Sequence, residues 1–261
     1  MSAITLFPVG VNVVEAEQYG FRLGERGTHS TRTMMLDELR QTLATVPASG
    51  LRSDYGQAII EENCLGKPTA ATRRQTNQRL GELYCFDLSV PLFRALRRLW
   101  DRDTDGHPLL ATLCALARDP LFAATVSAVV QLEPGAEFLR EPMRAGIRAL
   151  AGERLNDSTV DKVARNTASS WTQSGHLAGR TLKTRRRVQA TPASVALALY
   201  LAYRIGFRGL DLFSSGWVSI LDCSPTAARH LALEAKRLGL LDIRMAGDIV
   251  EINFNRLEQP L

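Results

Sequence analysis

The sequence contains no long apolar run. Its most apolar stretch, residues 195–203, is cut by Arg204, whereas a membrane-spanning helix needs about 20 apolar residues. The N-terminal MSAITLFPVGVNVVEAEQ has neither a basic leader nor an extended apolar segment, which argues against secretion. Cysteine is scarce: the residues at 64, 85, 114 and 223 form no CxxC pair and have no histidine at ligand spacing. That speaks against a disulfide framework or a zinc site and points to reduced thiols in a cytoplasmic protein without membrane contact.

The short motifs of catalysis are also missing. There is no GxSxG, HExxH or dinucleotide fingerprint, and GERGTHS at 24–30 lacks the lysine of a phosphate-binding loop. DRDTDG at 101–106 imitates the first half of a calcium loop, but Thr112 stands where the closing glutamate belongs and Pro108 falls inside. The histidines at 29, 107, 176 and 230 are scattered, and Glu61 and Glu62 have no second acidic cluster. The sequence therefore predicts a protein that is not an enzyme and uses no cofactor or metal.

What is present is an ordinary globular composition, 45% hydrophobic and 23% charged over 261 residues, enough for an ample core. The net charge of +5 is unevenly distributed. Residues 162–210 contain no Asp or Glu but hold nine cations: Lys162, Arg165, Arg180, Lys183, Arg185, Arg186, Arg187, Arg204 and Arg208. The rest of the chain is therefore net acidic. Such a block points to a polyanionic partner. Within WTQSGHLAGRTLKTRRR, the residues Arg180, Lys183, Arg185, Arg186 and Arg187 are candidate phosphate ligands, by charge and by the fork geometry of guanidinium. Contacts of this kind are independent of sequence and sensitive to salt. Trp171 can stack on a base or pack internally. Lys67, Arg73, Arg74 and Arg79 form a second basic face, and Arg22, Arg26, His29 and Arg32 a third cluster.

The pattern along the chain is that of successive helices. A short strand is possible at 11–14. Helices are expected from Ser30 or Thr31 to about 44, over 55–63, from the cap Thr69 to about 84, and at 89–101, 108–118, 120–132, 137–151 and 157–172. Residues 175–191 read as a basic connector or hairpin between a helical domain, 1–174, and a C-terminal unit, 192–261. That unit fits a winged helix-turn-helix. A helix opens at Pro192, a second spans 216–221, and Ser224-Pro225 starts a third that ends at Gly239. LLDIRM and DIVEINF, joined by Ala246-Gly247-Asp248, then read as a hairpin. Ala228, Leu231, Ala235 and Leu238 are spaced as the buried stripe of the third helix. Thr226, Arg229, His230 and Lys236 lie away from it as candidate base and backbone contacts, with Arg244 on the wing. The fold class is thus mainly α: a multi-helix N-terminal body with a C-terminal winged helix-turn-helix carrying a short β-hairpin.

The segment EENCLGKPTAATRRQTNQRL, with Glu62, Asn63, Leu65, Thr72, Arg73, Arg79 and Leu80, resembles the pattern "EEN-L-x-K … T-x-x-R … RL" of BrxA proteins from bacterial BREX phage-exclusion systems. The likeness covers the first 90 residues by motif and the remainder by architecture. It implies a non-enzymatic, double-stranded DNA-binding component of a phage-defence machine, with a methyltransferase, an ATPase and other defence proteins as partners. Two alternatives follow from the same residues: a winged-helix transcription regulator with a palindromic site, and a protein-interaction scaffold.

Overall fold

The computed structural model describes residues 4–247 and 249–260. Asp248, in the turn of the expected C-terminal hairpin, lies outside the described residues. The molecule is mainly helical, with two small antiparallel two-stranded sheets.

The chain begins with α1 (Val13–Gln18), α2 (Leu36–Thr45) and α3 (Arg52–Gly56), the last continued by a wider π turn over Gln57–Glu61. A helix stands where the sequence suggests a strand at 11–14, because the Asn12 side chain accepts the Glu15 N–H and caps it. The helix expected from Ser30 instead starts at Leu36, after Met35 turns left-handed at φ 53°. Thr69 does cap α4 (Ala70–Tyr84), accepting from the Thr72 N–H.

The central helices α5 (Pro91–Trp100) and α6 (His107–Arg118) are buried on most sides. The continuous helix expected at 120–132 is broken into α7 (Pro120–Ala123) and α8 (Val126–Val130). The Thr125 hydroxyl donates to the Phe122 carbonyl at 2.7 Å and accepts the Trp171 indole N–H at 2.9 Å, which fixes the break. No single helix among the described residues is long and apolar enough to cross a membrane. Next come α9 (Arg140–Ala151) and α10 (Asp157–Gln173), packed on each other.

The segment read as a connector is ordered. It folds into β1 (Leu177–Ala178) and β2 (Thr184–Arg185), with Leu177 opposite Arg185 and Ala178 opposite Thr184. A second row of main-chain bonds holds β2 from the other side: Arg185 N–H to the Ala136 carbonyl at 2.9 Å, and Gly135 and Phe138 N–H to Arg185 and Lys183 carbonyls at 2.8 Å each. Gly179 closes the hairpin at φ 110°, where any Cβ would meet the Leu182 carbonyl oxygen at 2.0 Å.

Thr191 caps α11 (Pro192–Arg204), which is followed by α12 (Gly216–Ser219) and by α13 (Pro225–Arg237), capped by Ser224. The strands β3 (Asp242–Ala246) and β4 (Ile249–Asn253) pair antiparallel, with Arg244 opposite Glu251, and α14 (Asn255–Glu258) ends the chain. The buried stripe of α13 is Ala228, Ala232 and Ala235; Leu231 is half-buried and Leu238, expected inside, is exposed. α11 packs on α5 and α6 as well as on α12 and α13. A single hydrophobic core therefore runs from Leu6 to Leu257, and 192–261 is built onto the helical body. α14 adds to the join: Leu257 is buried, and the Arg94 Nε donates to the Glu258 carbonyl at 3.0 Å.

Candidate nucleic-acid interface

The nine cations of residues 162–210 meet different fates. Arg185 is buried, at 1% exposure, and is removed from the set of phosphate ligands. Its Nε donates to the Val129 carbonyl at 2.9 Å, one Nη to the Arg186 carbonyl, and the other pairs with the Asp222 carboxylate. The second oxygen of Asp222 accepts the Val188 N–H at 2.8 Å. Arg204 is also internal. It pairs with Glu258, and its guanidinium lies 4.2 Å from the centre of the Tyr19 ring. Lys183 is half-buried, with Nζ donating to Thr172 Oγ1 at 2.8 Å and to the Gly179 carbonyl at 3.1 Å; burial, with Arg140 nearby, pulls its pKa down. Arg208 is exposed, but its Nη1 bonds the Tyr203 and Phe207 carbonyls at 2.6 and 2.7 Å.

The other five, Lys162, Arg165, Arg180, Arg186 and Arg187, are exposed and form no ion pair among the described residues. Trp171 packs rather than presenting a face, since it is fully buried.

The Arg185–Asp222 pair also sets where this charge lies. Asp222, at φ 51°, forms the turn that leads through Cys223 into the Ser224 cap of α13. Bonding β2 to Asp222 therefore holds the segment carrying Arg186 and Arg187 against the turn that precedes α13, where the Arg187 Nη2 donates to the Asp222 carbonyl at 3.5 Å. His176 is a second tie: its Nε2–H donates to the Ile220 carbonyl at 2.6 Å, joining β1 to the end of α12. Burial, with the Arg185 cation adding to it, holds the His176 pKa below the usual imidazole range.

On α13, Thr226, His230 and Lys236 are exposed, as is Arg244 on β3. Arg229 is half-buried, with its Nε unpartnered and its guanidinium 5.8 Å from the Phe213 ring centre. Glu251 opposes Arg244, and Leu233 is 39% exposed on α13; both lower the positive character of this face.

The second basic face mostly dissolves. Lys67 pairs with Glu38 at 2.9 Å, and Arg73 donates to the Ile60 carbonyl at 2.7 Å, closing the π turn. Each is drawn to a partner within the fold, which leaves Lys67 charge-matched and Arg73 bonded through Nη1 alone among the described residues. Arg79 pairs with Glu82, while Arg74 stays exposed.

The chain matches no family model and no curated protein.

The structure also brings together three residues that sequence spacing could not connect. His29 Nδ1 is 2.8 Å from Asp119 Oδ2, and His29 Nε2 is 2.8 Å from Ser170 Oγ. The geometry is that of a Ser–His–Asp triad. However, all three residues are fully buried, and the Ser170 oxygen already accepts the Met34 N–H at 2.8 Å and donates to the Asn166 carbonyl at 3.1 Å. The hydroxyl is closed off from solvent, and the three residues tie distant segments of the chain together. Burial on its own would raise the Asp119 pKa. The His29 ring and the His29 and Phe122 N–H groups outweigh it, and hold the carboxyl below its usual value. Among the described residues no cluster of His, Cys, Asp or Glu could hold a metal; Asp103 of DRDTDG accepts from the Gly106 N–H and the Thr191 hydroxyl.

These shifts fix a pH dependence. The native His176 binds fewer protons than the unfolded one below about pH 6.5, and the native Asp119 fewer than the unfolded one below about pH 4. Both contributions are therefore present at neutral pH and are lost on acidification. Thermal unfolding followed by circular dichroism is expected to show Tm falling from pH 7 to pH 5, with His176→Gln flattening that fall. A Tm unchanged over this range contradicts the neutral, buried imidazole.

Proposed function

We propose that this protein is a non-enzymatic double-stranded DNA-binding subunit that grips mainly the phosphate backbone. The observation that carries the reading is that Arg186 and Arg187 are exposed and, among the described residues, carboxylate-free on a segment bonded through Asp222 to the turn before α13. A phosphate approaching that segment meets guanidiniums together with the positive end of the α13 dipole, where Thr226 keeps an N–H unbonded among the described residues while Ser224 caps the Ala227 N–H. In this reading α11, α12 and α13 with the β3–β4 hairpin act as a winged helix-turn-helix. Thr226 and His230 then face the major groove, and Lys236 and Arg244 lie along its edge. Arg180, Lys162 and Arg165 extend the phosphate track from the β1–β2 hairpin and α10. The setting, a BREX-type phage-defence assembly with methyltransferase and ATPase partners, rests on the resemblance of residues 61–80 to BrxA proteins.

A gel-shift titration with a duplex of about 20 base pairs in dilute buffer tests the reading. Retardation of random and selected duplexes at similar protein concentration is the expected result. Strong preference for one palindrome, bound by a dimer, favours the regulator instead, and no retardation leaves only the scaffold.

A further inference from the structure

Two adjoining hollows lie in the helical body, away from the residues of the DNA interface. The first, about 430 Å³, is lined by Arg22, Arg26, Arg79 and Arg154. The second, about 340 Å³, is lined by Arg22, Arg52 and Arg118. Arg22 and Glu82 belong to both walls, so the two hollows form one bipartite depression.

Six arginines therefore line the depression with a single carboxylate, Glu82, and that carboxylate is already matched. Glu82 accepts from Arg79 at 2.8 and 3.0 Å, from the Thr28 hydroxyl at 2.7 Å and from the Gln78 amide at 3.0 Å. Arg154 pairs with Glu25 at 3.2 Å, outside the lining. Arg22 and Arg118 bond only main-chain carbonyls: both reach the Glu82 carbonyl, at 3.4 and 2.9 Å, and Arg118 also reaches that of Gly20. Burial pulls the Arg118 pKa down, and the Arg22 cation adds to the effect. A half-buried cation that has no carboxylate partner and a like charge beside it is costly to hold. An anion in the depression removes that cost. Arg26 and Arg52 stand exposed at the two ends, with no hydrogen bond or ion pair among the described residues.

We propose that this depression binds a phosphate chain of two or three units, as carried by a nucleoside di- or triphosphate or by inorganic pyrophosphate. Guanidinium forks are the side chains best matched to phosphate oxygens. The combined space lies within the size range of small-ligand sites. Arg22, reaching both hollows, bridges successive phosphates.

The test is thermal unfolding of the full chain at fixed ionic strength, titrated with pyrophosphate and separately with ATP. A saturable rise in Tm of about 5 °C at hundredfold excess over Kd is expected. In Arg26→Gln/Arg52→Gln, whose side chains form no hydrogen bond or ion pair among the described residues, the apparent affinity is expected to fall by about tenfold or more. Arg186→Ala/Arg187→Ala is expected to keep the full shift, which separates this site from the DNA surface. Equal action of both probes identifies the phosphate chain alone as the ligand, and tighter binding of ATP adds the nucleoside. Absence of a shift with either probe, or a shift unchanged in Arg26→Gln/Arg52→Gln, overturns the proposal.

Discussion

Arg185→Ala is expected to destabilise the protein by roughly 3–5 kcal/mol, the usual consequence of removing one member of a buried ion pair, and to lower Tm by about 10 °C. The substitution strands the Asp222 carboxylate and removes the donor to the Val129 carbonyl, so the β1–β2 hairpin loses its bond to the turn before α13. Asp222→Asn keeps the volume and an acceptor, and is expected to lose less. Arg186→Ala, one residue away and exposed, is expected to leave Tm within about 1 °C. Denaturant or thermal melts of the three variants check the ordering; equal melting of Arg185→Ala and Arg186→Ala contradicts the buried pair.

The second large effect is on binding. Arg180→Ala/Arg186→Ala/Arg187→Ala removes exposed cations without touching the core, so folding is expected to be unaffected. If each guanidinium bonds one phosphate, each such bond is worth about 1 kcal/mol, and duplex affinity falls roughly hundredfold at low salt. The loss is expected to be alike for all sequences, because backbone contacts carry no base information. Fluorescence anisotropy with two unrelated duplexes checks both points. A triple substitution that includes Arg185, the obvious choice from the RRR run alone, confounds the two effects: it unfolds the hairpin as well as removing charge.

The contrast between Arg185 and its neighbours shows what the sequence can and cannot convey. Local signals are legible. Thr69 and Ser224 cap the helices that their spacing implies, Pro192 opens α11, and the alternation in 240–254 forms β3 and β4. Long-range pairings are not. The acid-free character of 162–210 is a local property, but its carboxylates arrive from Asp222 and Glu258, beyond the stretch. Nothing in TRRR marks which arginine points inward; that follows from the two-residue period of β2, which sends Arg185 to the core and Thr184 and Arg186 to solvent. The same limit explains Lys67 and Glu38, 29 residues apart, and the union of His29, Asp119 and Ser170. The break at Thr125 depends on Trp171, which no local pattern over 120–132 contains.

The central claim is that the exposed cations around the start of α13 neutralise a nucleic-acid backbone. The most direct test is the dependence of log K on log salt concentration for duplex binding by the native protein and by Arg180→Ala/Arg186→Ala/Arg187→Ala. A steep negative slope is predicted for the native protein, and a slope shallower by roughly 2–3 for the variant, about 0.9 for each phosphate left without its guanidinium. The same slope in both proteins contradicts the claim.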